Sequence, residues 1–357
     1  MPRNWKESNK RFLNTMLGIP GVDRVPYCAN IGEQMLTRIS GMTLREILSN
    51  PKTYANVIMS TTQFLKSDSV YVPTSYGGPY EAVAFAETNN RTHAIKWYDY
   101  LPIFIKQGEI CKNAEDVERL EIPDHNKIKI WQTTFETAKI ISKTTKFPSM
   151  VGFGIWAVVQ QLLGDNAFIF MRKEPALLLK LCEKIYQSQM EILKNWKENV
   201  GRIWFVFVTG YAFNGTMMSF DDAMKFEGQF IKKMQEEMKT PIVFHNCGMK
   251  PYFEEVCSEI EFLAIQGSHP LDINYWVSFK KKFPNVSIMG ANIDVSLEML
   301  TGTPQDVEAK VKENIENLAL GGRYIVNPIC NLPFNVPLPN IMAVPKAVKK
   351  YGIYPLS

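Results

Sequence analysis

The amino-acid sequence predicts an α/β fold of the (β/α)8 TIM-barrel class, with an N-terminal helical extension and a hairpin and helical insertion after the second strand. Three observations carry this prediction. Short β-rich runs recur at 24–29, 69–74, 150–155, 203–209, 241–246, 261–266, 286–290 and 323–328, eight in all. Most are continuously apolar, as in VYVPT, IWFVFV and IVFHN, the pattern of strands covered on both faces. The stretches between them, such as 221–239, space apolar residues at helical intervals, and eight strands alternating with helices imply a closed barrel.

In chain order, residues 1–20 read as a helix carrying Phe12, Met16 and Leu17 ahead of the first strand. The interval 75–149 is long enough for more than one helix. Within it, EAVAFAETNNRTHAIKWYDY alternates apolar and polar residues around Asn89-Asn90, a hairpin signal that we read as a flap over one end of the barrel. No internal repeat, low-complexity segment or linker marks a second unit, so residues 1–357 are expected to form a single domain.

A hydrophobic content of 46% can supply a full core. The net charge of +4 is spread over 40 basic and 36 acidic residues, which leaves no electrostatic footprint for nucleic acid. Lysine clusters at Lys280 to Lys282 and Lys349 to Lys350 fall near predicted helix ends, where solvation and the helix dipole account for them. The cysteines at 28, 111, 182, 247, 257 and 330 show no disulfide framework, which fits a reducing cytoplasm. The opening MPRNWKESNKRF lacks the apolar core of a signal peptide, and no run of about 18 apolar residues offers a membrane span. A soluble cytoplasmic protein is the expectation.

His245 and Cys247, in FHNCGMKPYFEEVC, stand two residues apart where the fifth predicted strand ends. Alternation along a strand lets both side chains face the same way, and imidazole nitrogen with thiolate sulfur suits zinc. Taken alone, the pair reads equally as a buried cysteine beside a hydrogen-bonded core histidine. Catalytic residues of such barrels cluster at the C-terminal ends of the strands. Of the other cysteines, Cys330 ends a strand, in GGRYIVNPICNLPFNVPLPN, and would complete a Cys2His set with an open fourth position. Cys257 would lie about 15 Å along the following helix and is read as core, as are Cys28, Cys111 and Cys182.

Nearly the whole chain resembles the uroporphyrinogen decarboxylase superfamily, through RFLNTMLGIPGVDRVPY, GANIDVSLEMLTGTPQDV and NPICNLPFNVPLPNI. Within it, HNCG followed by the distant Cys330 resembles the zinc-dependent corrinoid methyltransferases, whose ligands are a His-x-Cys pair and a later cysteine. Where decarboxylases of the superfamily carry an arginine-rich segment after the first strand, this chain reads YCANIGEQM, and where they carry a catalytic aspartate it reads VPTSY, with Ser75 near that place. The resemblance therefore implies a methyltransferase rather than a decarboxylase-type lyase, with one zinc ion per chain and a corrinoid (cobalamin) carried by a partner protein.

Two reactions suit such a zinc centre: attack of a zinc-bound thiolate on a methylated corrinoid, or departure of a zinc-bound heteroatom as Co(I) takes its methyl group. Aromatic residues at and beyond strand ends, Trp156, Tyr211, Phe213 and Phe244, with Phe334 beyond Cys330, favour a flat apolar methyl donor. A methoxylated aromatic undergoing O-demethylation is therefore the preferred substrate, and a thiol acceptor of the coenzyme M type the alternative. The same aromatics also suit ordinary barrel packing. Glu33 is a candidate proton donor or fourth ligand, and His269 a candidate catalytic contact. Asn214, Asn292 and Asp294 are candidate substrate-binding residues that read equally as loop-stabilising groups. A non-catalytic zinc-containing scaffold for a corrinoid protein also stays open, as does a homodimer.

Overall fold

The computed structural model describes residues 4–73, 78–147, 149–267 and 269–356. Helix α1 (Trp5–Leu17) begins the chain, with Asn4 accepting from the Glu7 amide at one end and Gly18 in the left-handed conformation (φ 70°) at the other. Its Phe12 and Met16 are buried as expected, whereas Leu17 is exposed. Three helices follow, α2 (Glu33–Ser40), α3 (Leu44–Leu48) and α4 (Pro51–Phe64), then α5 (Pro79–Thr88).

The insertion contains a two-stranded antiparallel hairpin, β1 (Ile95–Lys96) with β2 (Phe104–Ile105), and helices α6 (Ala114–Arg119) and α7 (Lys129–Thr145). The hairpin turn lies beyond the expected one. Asn89 instead caps α5, because EAVAFAE places Ala, Val and Phe on consecutive buried positions that a helix accommodates and a one-sided strand does not.

The parallel sheet runs β3 (Ser149–Phe153), β4 (Ile203–Thr209), β5 (Ile242–Asn246), β6 (Ala264–Gly267), β7 (Ser287–Met289) and β8 (Tyr324–Ile325), each paired with the next. Between them lie α8 (Ile155–Leu163), α9 (Asn166–Lys173) and α10 (Pro175–Asn199), then α11 (Phe220–Ala223) and α12 (Gln229–Met238) joined through a π-helical turn at Met224–Gly228. The remaining helices are α13 (Phe253–Glu259), α14 (Ile273–Lys282), α15 (Pro304–Leu318) and α16 (Leu338–Tyr351). Lys280, from the predicted cluster at a helix end, donates to the carbonyls of Leu320 at 2.9 Å and Gly322 at 2.8 Å, just past α15.

The first two expected strands form no regular ladder among the described residues. Residues 24–28 lie beside β8 through a parallel bridge from Tyr27 to Val326, with Cys28 N donating to Val326 O at 2.9 Å. Residues 67–69 follow alongside: Asp68 N donates to Tyr27 O at 2.6 Å, and the Asp68 carboxylate binds Arg11 and Arg24, both at 2.8 Å. Pro26 and Pro73 each remove a ladder donor, which explains the interrupted pairing. Side chains from these segments and from β3 to β7, among them Cys28, Tyr71, Met150, Phe207, Val243 and Met289, line one interior space of only about 20 Å³. The barrel is closed and filled, as its class requires. Among the described residues no helix is long and apolar enough to cross a membrane.

Candidate metal centre

His245 is the penultimate residue of β5, paired in register with Thr209 of β4 and Gln266 of β6. Its ring faces inward, stacked on Phe207 at 5.8 Å between centroids. Cys247 lies just beyond the strand, on the same side by alternation, and Cys330 lies in the loop that follows β8. The three ligand atoms lie within 4.8 Å of one another, and among the described residues no carboxylate joins them.

The two sulfurs share a hydrogen bond. That bond, aided by His245 and opposed by burial, holds the Cys330 thiol well below its ordinary range, while the proton stays with Cys247. His245 Nδ1 is buried without a partner, so Nε2 is the nitrogen turned to Cys330. Two soft sulfurs and a buried imidazole converging on one point fit a zinc ion with an open coordination position.

Each residue of the HNCG motif has a task. Asn246, buried and facing away from the ligands, donates through Nδ2 to the carbonyls of Gly210 at 2.7 Å and Phe213 at 2.8 Å. Its Oδ1 accepts from Gly248 N at 2.7 Å, so one side chain binds the loop after β4 to the turn after Cys247. At Gly248 a Cβ would lie 2.3 Å from Asn214 Nδ2, which only glycine avoids. Asn214 in turn accepts from the amides of Thr216 at 3.1 Å and Lys250 at 3.4 Å. It is a loop brace against the ligand turn.

Of the expected substrate wall, Tyr211 reaches the centre: its hydroxyl is hydrogen-bonded with Cys247, and burial beside the two cysteines raises its pKa. The residue as a whole is 37% exposed, so it spans from solvent to sulfur. Trp156, Phe213 and Phe244 lie elsewhere. Phe244 neighbours His245 on the strand and must point to the opposite face, where it packs against Phe213 at 5.6 Å and Phe262 at 4.9 Å. Trp156 is enclosed by Phe168 at 5.7 Å and Phe226 at 6.2 Å. All three are fully buried core residues. Phe334 is half-buried beyond Cys330.

Glu33 opens α2 and is buried, which pushes its carboxyl up to about 7 against a hydrogen bond with Tyr80. Its neighbours touch the Cys330 loop: a Cβ on Gly32 would meet Asn331 at 3.2 Å, and Gln34 donates to Leu332 O at 2.6 Å. His269 stands half-buried two residues past β6. Asp294 accepts from the amides of Ser296 at 2.6 Å and Leu297 at 2.8 Å, and Asn292 is buried with Nδ2 at 3.4 Å from Glu313. Both are held as loop residues hold their turns. Ser75 lies outside the described residues. Cys28, Cys111 and Cys182 are buried in the core as expected, and Cys257 sits half-buried on α13.

Two features escaped the sequence. Gln266 donates to Asn30 Oδ1 at 3.0 Å and to Asn327, while Asn327 donates to Cys28 O at 2.8 Å, a buried polar layer assembled from three distant segments. Glu227, fully buried in the π-helical turn, accepts from Trp156 N at 3.1 Å and Ala212 N at 3.0 Å. Neither follows a spacing rule. The available signals were a lone polar residue in an apolar strand run for Gln266 and an acid on the apolar face of a helix for Glu227.

A closed parallel barrel that gathers a histidine and two cysteines beyond its C-terminal strand ends defines a class of barrel with a candidate soft-metal centre. The model of the uroporphyrinogen decarboxylase (URO-D) family matches residues 7–351, and the chain belongs to that family. Among solved structures it is similar to a methyltransferase from Methanosarcina mazei, at 18% identity and a TM-score of 0.78 over 96% of this chain and 98% of that one. A B12-independent methionine synthase from Shewanella sp. W3-18-1, in complex with selenomethionine, aligns over 60% of this chain and 65% of its own at 16% identity and a TM-score of 0.44, too partial a likeness to bear on the fold. No curated protein sequence matches.

Proposed function

We propose that the protein is a zinc- and corrinoid-dependent methyltransferase, moving a methyl group between a small methylated substrate and the cobalt of a corrinoid on a partner protein. The observation that carries this is the convergence of His245, Cys247 and Cys330 within 4.8 Å at the catalytic end of the barrel. Family membership and the fold shared with a methyltransferase support it. These three residues would hold zinc, which supplies Lewis acidity toward the oxygen or sulfur atom of a substrate.

The protein's own groups set the conditions for transfer. Tyr211 lends a hydrogen bond to the Cys247 sulfur and presents its ring to solvent, where a substrate arrives. Glu33, with its carboxyl raised to about 7, is shared between its protonated and ionised forms at neutral pH and can give its proton to a departing heteroatom. His269 is the second proposed catalytic contact. A methoxylated aromatic is the donor we propose, stacked on Tyr211 and Phe334. Burial of Trp156, Phe213 and Phe244 in the core removes most of the aromatic wall, and that observation favours a thiol acceptor as the second reading.

Metal analysis tests the centre: protein purified without oxygen should hold about one zinc per chain, and the Cys247→Ser/Cys330→Ser double variant should hold none. Full retention in that variant overturns the proposal. A panel of methoxyarenes with Co(I) corrinoid, and of small thiols with methylcobalamin, decides the substrate. Thiol methylation with every methoxyarene inert selects the second reading. Activity that survives complete chelation points to a lyase. A cobalt-substituted spectrum unmoved by every substrate, with no turnover, points to a non-catalytic scaffold.

A further inference from the structure

Glu227 is a buried carboxylate with no ion-pair partner among the described residues, unlike the buried Asp68 and Glu81, which meet an arginine and a histidine. Such a group is costly to bury unless donors satisfy it. Its donors are backbone amides from two separate loops. Oε1 accepts from Trp156 N at 3.1 Å, in the first turn of α8. Oε2 accepts from Ala212 N at 3.0 Å, in the loop after β4. Burial raises the carboxyl to about 7 while these amides pull it down.

Capping α8 needs only one of the two oxygens, since a carboxylate at a helix N-terminus is favoured by the amides it meets there. The second oxygen has another consequence. Ala212 follows Tyr211, and the residues flanking them, Gly210 and Phe213, are fixed to β5 by the Asn246 side chain. Tyr211 is thus held between three anchors, with its hydroxyl bonded to the Cys247 sulfur. The π-helical turn supplies the reach, because its extra residue turns Glu227 inward against the loop, a device frequent at functional sites.

We propose that Glu227 is a positioning residue for the metal centre, its carboxylate setting the Tyr211 hydroxyl against the Cys247 sulfur and thereby the electron density that this sulfur offers a metal. The proposal rests on the metal-binding reading above. Glu227→Gln keeps the volume and one carbonyl oxygen but turns an NH2 group toward one of the two amides, so that one anchor is lost.

The test compares Glu227→Gln, Tyr211→Phe and their double variant in two states. In the cobalt(II)-substituted protein, both single variants should shift the thiolate-to-cobalt charge-transfer band in the same direction, and the double variant no further than Tyr211→Phe. In the metal-free protein, alkylation of Cys247 by iodoacetamide, followed by peptide mass spectrometry, should change by a common factor of up to roughly tenfold, the worth of one neutral hydrogen bond. A Glu227→Gln protein with a lowered melting temperature but wild-type band and alkylation rate overturns the proposal, as does an effect that adds to that of Tyr211→Phe. Should Glu227→Gln not fold, Glu227→Asp serves, since its shorter side chain keeps the charge but cannot span both loops. Wild-type protein that takes up no cobalt, or no less in the Cys247→Ser/Cys330→Ser variant, refutes the metal reading, and the metal-free alkylation then judges the link from Glu227 to Cys247 alone.

Discussion

Asn246 offers the sharpest test of how the ligand turn is built. It is almost fully buried and makes three short hydrogen bonds, two as donor to the Gly210 and Phe213 carbonyls and one as acceptor from the Gly248 amide. Replacement by alanine removes all three, at about 1 kcal/mol net each, and leaves the freed backbone groups to find other partners at about 1–3 kcal/mol apiece where they stay dry. Phe213 O retains the Tyr252 amide at 3.2 Å and Gly210 O retains the Phe213 amide at 3.1 Å, so the added cost falls on Gly248 N. The sum is a loss of roughly 4–6 kcal/mol. The isosteric Asn246→Asp discriminates further. It keeps the bond from Gly248 N but sets a charged oxygen against two carbonyl oxygens, so its loss should match or exceed that of alanine. Urea unfolding followed by tryptophan fluorescence measures both, and amide exchange in 210–213 and at Gly248 should accelerate in parallel. An aspartate variant within about 1 kcal/mol of wild type would refute the hydrogen-bond account and leave side-chain shape as the reason for Asn246.

Two further outcomes can be checked with equal economy. Burial raises the Glu33 carboxyl from its ordinary 4.5 to about 7, so the stability tied to its protonated form is complete below pH 4.5 and is lost as the pH rises through 7. Glu33→Gln should therefore equal wild type near pH 4 and exceed its unfolding free energy by on the order of 3 kcal/mol above pH 7; a difference that does not vary with pH refutes this. Gly248→Ala would drive a Cβ to 2.3 Å from Asn214 Nδ2 and 2.4 Å from Cγ. Displacing that brace should weaken zinc about 10–100-fold, measured by competition with a chromogenic chelator, and an unchanged affinity counts against the brace.

Strands β3 to β8 were legible because each is an unbroken apolar run between helices, and the candidate ligands because strand ends in a parallel barrel converge. The first two staves were legible as segments but not as ladders, since Pro26 and Pro73 each withhold a donor. Three of the expected wall aromatics, Trp156, Phe213 and Phe244, are buried in the core, and for Phe244 the reason was already present in the sequence. If His245 and Cys247 face inward, alternation sends Phe244 and Asn246 outward, and Phe244 belongs to the core. That Asn246 would bind a neighbouring loop, and that Glu227 would meet amides 15 and 71 residues away, depends on loop paths that no local pattern encodes.

The candidate ligands are mounted on supports of unequal stiffness. His245 and Cys247 issue from a strand laddered over four register positions on either side, whereas Cys330 issues from a two-residue strand that meets β7 at two positions and the Tyr27 segment through one bridge. Any change in the coordination polyhedron, such as a substrate atom joining a bound metal, would thus be absorbed by displacement of the Cys330 arm. The His-Cys arm acts as the fixed jaw of a vice whose other jaw slides along a sparsely paired seam.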